Sequence, residues 1–169
     1  MAPVHILFLI AFAFAAIPVI PAVAITGDDP GAWNAPSGDD EVDAGRAAFE
    51  REDWPVVIET MSKVIERRPW DDRAHTLLGF AYRKLGRYDA SLAHYRRALE
   101  LNPHNRGALE YLGEAYLELD RPEDALRMLA RLESACRRVA DPGDDAWQAN
   151  CEEWSELKTA YDAYLEAAR

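Results

Sequence analysis

The chain has 169 residues, 49% of them hydrophobic and 29% charged, which is the composition of a folded globular protein rather than a disordered one. Thirty acidic residues against 19 basic ones give a net charge of −11. That excess argues against nucleic acid and anionic lipid as partners, since both demand a basic face. Two cysteines are too few for a disulfide-built mini-protein or a four-thiolate metal site, and no mononucleotide loop, dinucleotide fingerprint or zinc-protease helix is present.

From Met1 to Gly27 there is no Asp, Glu, Lys or Arg. The apolar run Ile6 to Ile17 is shorter than the roughly 20 residues a spanning helix needs, and Pro18 and Pro21 break any helix beyond it. Ala22-Val23-Ala24 is a small-x-small triplet of the kind signal peptidase reads. Residues 1–24 are therefore expected to be a signal peptide, and the protein to be exported and periplasmic. Its start lacks the usual Lys or Arg, which keeps an uncleaved membrane anchor as the alternative. Thr26 to Asp40 is rich in Gly, Pro, Asp and Ser without hydrophobic period, so residues 25–37 are expected to be a flexible linker with Trp33 an incidental aromatic.

The rest is periodic. Gly45, Gly79 and Gly113 are 34 residues apart, and so are Pro69 and Pro103, and Tyr82 and Tyr116. Apolar residues around each glycine recur at helical spacing, as in Leu77, Leu78, Ala81, Tyr82 and Leu85. A glycine there costs about 1 kcal/mol against alanine, tolerable where a second helix approaches too closely for a Cβ. Each period splits at a turn, and Pro55 and Pro122 fit first helical turns. The pattern predicts helices at 39–51, 54–67, 72–85, 88–101, 106–119 and 122–139. Asp141 to Asp145 then reads as a turn. Asn150 is expected to cap a last helix with Glu153 three residues on, and Trp154, Leu157, Tyr161, Tyr164, Leu165 and Ala168 give that helix an apolar face.

This pattern resembles the tetratricopeptide repeat family, whose unit is a 34-residue helix–turn–helix. Residues 72–105 carry the signature best, with Leu78-Gly79, Tyr82, Ser91, Tyr95, Ala98 and Pro103. Residues 106–139 have Leu112-Gly113, Tyr116, Ala125, Leu129 and Leu132, but Arg137 stands where the closing proline belongs. Residues 38–71 are weakest, with Ala44-Gly45, Ala48, Val57, Met61, Val64 and Pro69. The resemblance implies an all-α stack of three helix–turn–helix units over 38–169, closed by a capping helix at 150–168 that covers the last apolar face.

Chemistry is sparse. His75, His94 and His104 occupy different positions in the repeats and are not expected to converge. Acid pairs such as Asp39-Asp40 and Asp71-Asp72 sit where carboxylates cap helix starts. No catalytic residue, metal set, cofactor or small-molecule substrate is expected. Cys136 and Cys151 lie at neighbouring helix ends, within reach of a structural disulfide that export would allow to form. The alternative is a thiol-based redox or metal-handling pair, since a cysteine at a helix start can have a lowered pKa.

In the family, the first helix of each repeat lines a groove that holds peptide segments. By position the rows here are Val42, Thr76 and Glu110; Arg46, Phe80 and Glu114; and Phe49, Arg83 and Leu117. The family's carboxylate clamp uses Lys, Arg and Asn, so Glu110 and Glu114 argue against that ligand. The resemblance implies a non-enzymatic scaffold or assembly factor of the cell envelope. Phe49 and Phe80 would be apolar anchors, Glu110 and Glu114 a negative end, and Arg46 and Arg83 a positive one.

Overall fold

The computed structural model describes residues 39–139 and 147–168. The expected signal peptide, the linker with Trp33, and the Asp141 to Asp145 turn lie outside the described residues. Among the described residues there are seven α-helices and no strand: α1 Asp40–Glu50, α2 Trp54–Arg67, α3 Asp72–Lys84, α4 Tyr88–Leu101, α5 Arg106–Glu118, α6 Pro122–Val139 and α7 Glu152–Ala167. A short 3₁₀ turn, Trp147–Asn150, precedes α7. The six repeat helices match the sequence expectation to within a residue at each end.

The helix starts follow from local chemistry. Asp53, Asp71 and Asn105 each accept from the backbone N–H three residues on, at 3.4, 3.0 and 2.8 Å. Each thereby satisfies a donor that the first helical turn leaves free. Asp39 does the same for Glu41 and Val42. Asn150 does not cap α7 as expected. It ends the 3₁₀ turn, Cys151 takes the cap position without a side-chain bond, and Glu153 turns inward to pair with Arg106 at 3.4 Å.

The turn inside each repeat is one conformation used three times. Glu52, Gly86 and Asp120 all have positive φ, at 56°, 70° and 57°. In each, the next backbone N–H bonds back to the preceding helix: Asp53 to Ala48 O, Arg87 to Tyr82 O and Arg121 to Tyr116 O, at 2.9, 2.8 and 2.8 Å. This left-handed close of a helix satisfies its last carbonyls and suits glycine. Repeats one and three hold acids there at a steric cost of about 1 kcal/mol. Glu52→Gly is accordingly expected to raise stability by a few tenths of a kcal/mol to about 1 kcal/mol, offset in part by glycine's larger unfolded-state entropy. A chemical denaturation midpoint that falls would contradict this.

Consecutive helices pack in antiparallel pairs around a continuous core running from Ala48 and Val57 through Leu78 and Tyr95 to Leu109, Leu132 and Leu157. Side-chain staples tie helix ends together within and between repeats. Within the first repeat, Arg67 at the end of α2 and Arg68 just after it reach back to Asp39. Asp72 accepts from Asn102 and Asn105 at 2.9 and 2.8 Å, tying α3 to the start of α5. The repeat glycines stand where helices come closest. A Cβ on Gly79 would lie 2.5 Å from the Tyr95 ring, and one on Gly113 would lie 2.6 Å from Leu157 of α7. The last contact shows α7 doing for the third repeat what a partner helix does within the second.

The disulfide joins Cys136, near the end of α6, to Cys151 at the start of α7, with Cα atoms 6.0 Å apart. Both cysteines are buried. The bond anchors the closing helix to the stack at the one junction where the chain makes a longer connection.

Candidate peptide-binding cleft

Alternate helices α1, α3, α5 and α7, with Trp54 at the start of α2, surround a cleft of about 500 Å³. Its floor is aromatic. Phe49 and Phe80 have ring centroids 5.0 Å apart, Trp54 meets both at 5.5 Å, and Tyr111 stands edge-on to Phe80 at 4.8 Å. Offset and edge-to-face pairs of this kind add to the burial of the rings themselves. The far wall is α7, which presents Ser155, Thr159 and Ala163, with Glu156 and Ala160 beside them. Those small residues recur every four positions, one face of a helix.

Of the seven groove residues expected from the sequence, Phe49, Phe80, Arg83, Glu110, Glu114 and Leu117 line this cleft. Arg46 does not. It lies near the middle of α1, about one turn before Phe49, and pairs with Asp43 at 2.7 Å. Sequence reasoning missed Glu52, Trp54, Lys84, Tyr111, Glu118 and the whole α7 wall. The four-residue spacing of Ser155, Thr159 and Ala163 was the available signal for the wall, masked by the stronger apolar face that marks α7 as a lid over the core.

The structure changes the roles of the charged residues. Arg83 is buried, its guanidinium 5.2 Å from the centre of the Phe80 ring and 5.8 Å from that of Tyr111. It bonds Glu114 at 2.7 Å and Glu118 at 3.3 Å. Burial opposes its charge, but the carboxylates of Glu114 and Glu118 more than offset this and hold it cationic. It is an internal crosslink between α3 and α5, not a free positive end. Glu110 is only 3% exposed. Burial raises its pKa well above the usual range, and the carboxyl of Glu156 and the charge of Glu114 raise it further. Glu110 is therefore a buried carboxyl set against a second carboxyl, not the free negative charge expected. Phe49 and Phe80 are 7% and 9% exposed, so they form a floor, while half-buried Trp54 and Leu117 offer more surface to a ligand.

The histidines also differ from expectation. His75 and His94 do converge, with Nδ1 atoms 3.0 Å apart, and His94 stacks on Tyr82. They occupy different repeat positions, but α3 and α4 are the facing helices of one repeat, so unlike positions meet. Burial lowers the pKa of His94 to about 4, aided by His75, and burial lowers that of His75 too. An unfolded histidine protonates near 6.5, so the unfolded chain takes up protons first as pH falls. Stability is therefore expected to drop between pH 6.5 and 4. His94→Gln should lessen that drop in denaturation midpoints measured at pH 7 and 4.5. An unchanged difference would show that this pair does not contribute.

Tetratricopeptide-repeat family models match residues 73–105 and 108–135. No curated protein matches the chain by sequence. Among solved structures, the TPR2B-domain:pHsp70 complex of yeast Sti1 is similar at a TM-score of 0.65 and 20% identity, over 76% of this chain and 95% of that one. The TPR2AB-domain:pHSP90 complex of yeast Sti1 is similar at 0.64 and 21% identity, over 74% of this chain and 45% of that one. At such identity the likeness is one of fold. Two family-model matches, on a stack whose turns and glycine contacts repeat, identify residues 73–105 and 108–135 as tetratricopeptide repeats within an all-α stack of that fold.

Proposed function

We propose that this protein is a non-enzymatic interaction scaffold that holds a segment of a partner protein in the cleft between α1, α3, α5 and α7. The cleft itself carries this reading. Its volume lies within the range of built binding sites, about 300–1,000 Å³. Its surface is an aromatic floor with a rim of polar groups, the division of labour that peptide-binding surfaces use. We place its work on the far side of a membrane, in the cell envelope. The apolar N-terminal stretch supports that location, and so does a disulfide, a bond kept by oxidising compartments. Sequencing of the mature terminus is expected to begin near Ile25, and an intact Met1 in a membrane pellet would contradict it.

The test of the cleft is a random peptide-display selection on the mature protein, repeated on Ala163→Trp. Ala163 is an exposed wall residue of α7, so the indole fills the cleft without entering the core. Selected peptides are expected to lose at least tenfold in affinity for this variant and to bind Arg127→Trp, on the exposed face of α6, unchanged. Peptides indifferent to Ala163→Trp would place the site elsewhere.

A further inference from the structure

The α5–α7 end of the cleft has an unusual composition. Glu110 on α5 and Glu156 on α7 share a hydrogen bond across the helix junction. Neither pairs with a cation among the described residues. The nearby cations are committed: Arg83 to Glu114 and Glu118, and Arg106 to Glu153. Lys84 lies over the Phe80 ring, 5.1 Å from its centre. Two carboxyl groups thus face one another at the edge of an apolar cavity, one of them almost fully buried. Desolvating a carboxylate without a cation is costly, and burial accordingly raises the pKa of Glu110.

Resting on the reading of the cleft as a peptide site, we propose that this end is a receptor for a lysine or arginine side chain of the partner segment. The cation sits between Glu110 and Glu156, with an adjacent apolar residue on Trp54 and Phe80. A metal ion suits the place poorly. Among the described residues, the one group of three possible ligands within 4.8 Å is Cys136, Cys151 and Glu153, so these two carboxyls lack a third protein ligand. The chain's own N-terminal segment does not supply the cation, because residues 1–45 contain no Lys or Arg. A phosphate-bearing ligand would meet Glu52, Glu114, Glu118 and Glu156 along the same cleft.

Seating a cation there works against the shift of the empty site. In the free protein burial raises the pKa of Glu110 well above the usual carboxylate range, and the hydrogen bond with Glu156 and the charges of Glu114, Glu156 and Glu153 raise it further. Burial also raises Glu156, with the charges of Glu152 and Glu114 adding to the rise and the Glu110 hydrogen bond opposing it. Arg83 from α3, with Tyr111 and Arg106 on α5, completes the surroundings. A bound ammonium or guanidinium favours the ionised carboxylates, so binding releases a proton and affinity rises with pH up to the pKa of the free pair.

The experiment uses the display-selected peptides on the mature protein. They are expected to carry Lys or Arg within a few residues of an apolar side chain. Replacing that Lys by norleucine, or that Arg by citrulline, should weaken binding at least tenfold. Glu156→Gln should weaken the parent peptide at least tenfold and leave the neutral peptide nearly unchanged, the non-additive pattern of a direct contact. Titration calorimetry in two buffers of different ionisation enthalpy should show proton release. Peptides that are lost on Ala163→Trp yet need no cation, or whose losses simply add, would overturn this inference and leave the scaffold reading intact. A selection yielding no peptide sensitive to Ala163→Trp would overturn both. If Glu156→Gln melts below the parent, Glu110→Gln supplies the same cycle.

Discussion

Gly79→Ala is expected to destabilise the protein by about 3 kcal/mol, at the upper end of what overpacking usually costs. Alanine would ordinarily gain about 1 kcal/mol over glycine inside a helix. Here its Cβ would stand 2.5 and 2.6 Å from two atoms of the Tyr95 ring. Tyr95 is fully buried, with the Tyr111 ring at 6.4 Å, so the ring has nowhere to go. Gly86→Ala is the matched comparison. A Cβ there meets nothing within 4 Å, and the change should cost only the left-handed penalty of about 1 kcal/mol. Adding Tyr95→Leu to Gly79→Ala should recover part of the loss relative to the sum of the two single changes. Denaturant midpoints of the four variants test this. Equal costs at Gly79 and Gly86 would mean that close helix approach does not define the repeat.

Removing the disulfide by Cys136→Ser with Cys151→Ser should cost about 3 kcal/mol, the loop-closure value for a bridge of this span. The two cysteines are 15 residues apart in sequence. A loss of that size corresponds to a fall of about 10 °C in melting temperature. Both side chains are buried, at 2% and 0% exposure, so serine adds a desolvation cost on top. Reductant should lower the melting temperature of the parent and leave the double variant unmoved. The effect should extend to the cleft, because the bond fixes α7, and α7 is its wall. Peptide affinity should fall moderately as the wall loosens. If the double variant melted like the parent, the disulfide would not be holding α7 in place.

Much of the scaffold was legible because its signals are local. Asp53, Asp71 and Asn105 announce helix starts by their own side chains, and the 34-residue return of Gly45, Gly79 and Gly113 marks the close approaches. The first helices of the repeats supplied most of the cleft residues for the same reason, since equivalent positions face one way. What escaped depends on contacts between elements. Nothing in the sequence spacing says that Glu110 will be buried against Glu156, 46 residues later, and will have its pKa raised there. Nor does it say that Arg83 will be bound by Glu114 and Glu118. Comparing repeat positions hides the meeting of His75 with His94, which only the facing of α3 and α4 brings about. The α7 wall escapes when all of that helix's surface is assigned to the core.

The most direct measurement is the movement of tryptophan indole N–H resonances when a display-selected peptide is titrated into the isotopically labelled protein. Trp54 forms part of the cleft, while Trp70 is 68% exposed and is not among the residues that line it. Binding in the cleft predicts that the Trp54 resonance shifts to saturation with the peptide's own affinity and that Trp70 stays in place. A saturating shift at Trp70 with Trp54 unmoved would put the partner on another face and contradict the assignment of the cleft as the binding site.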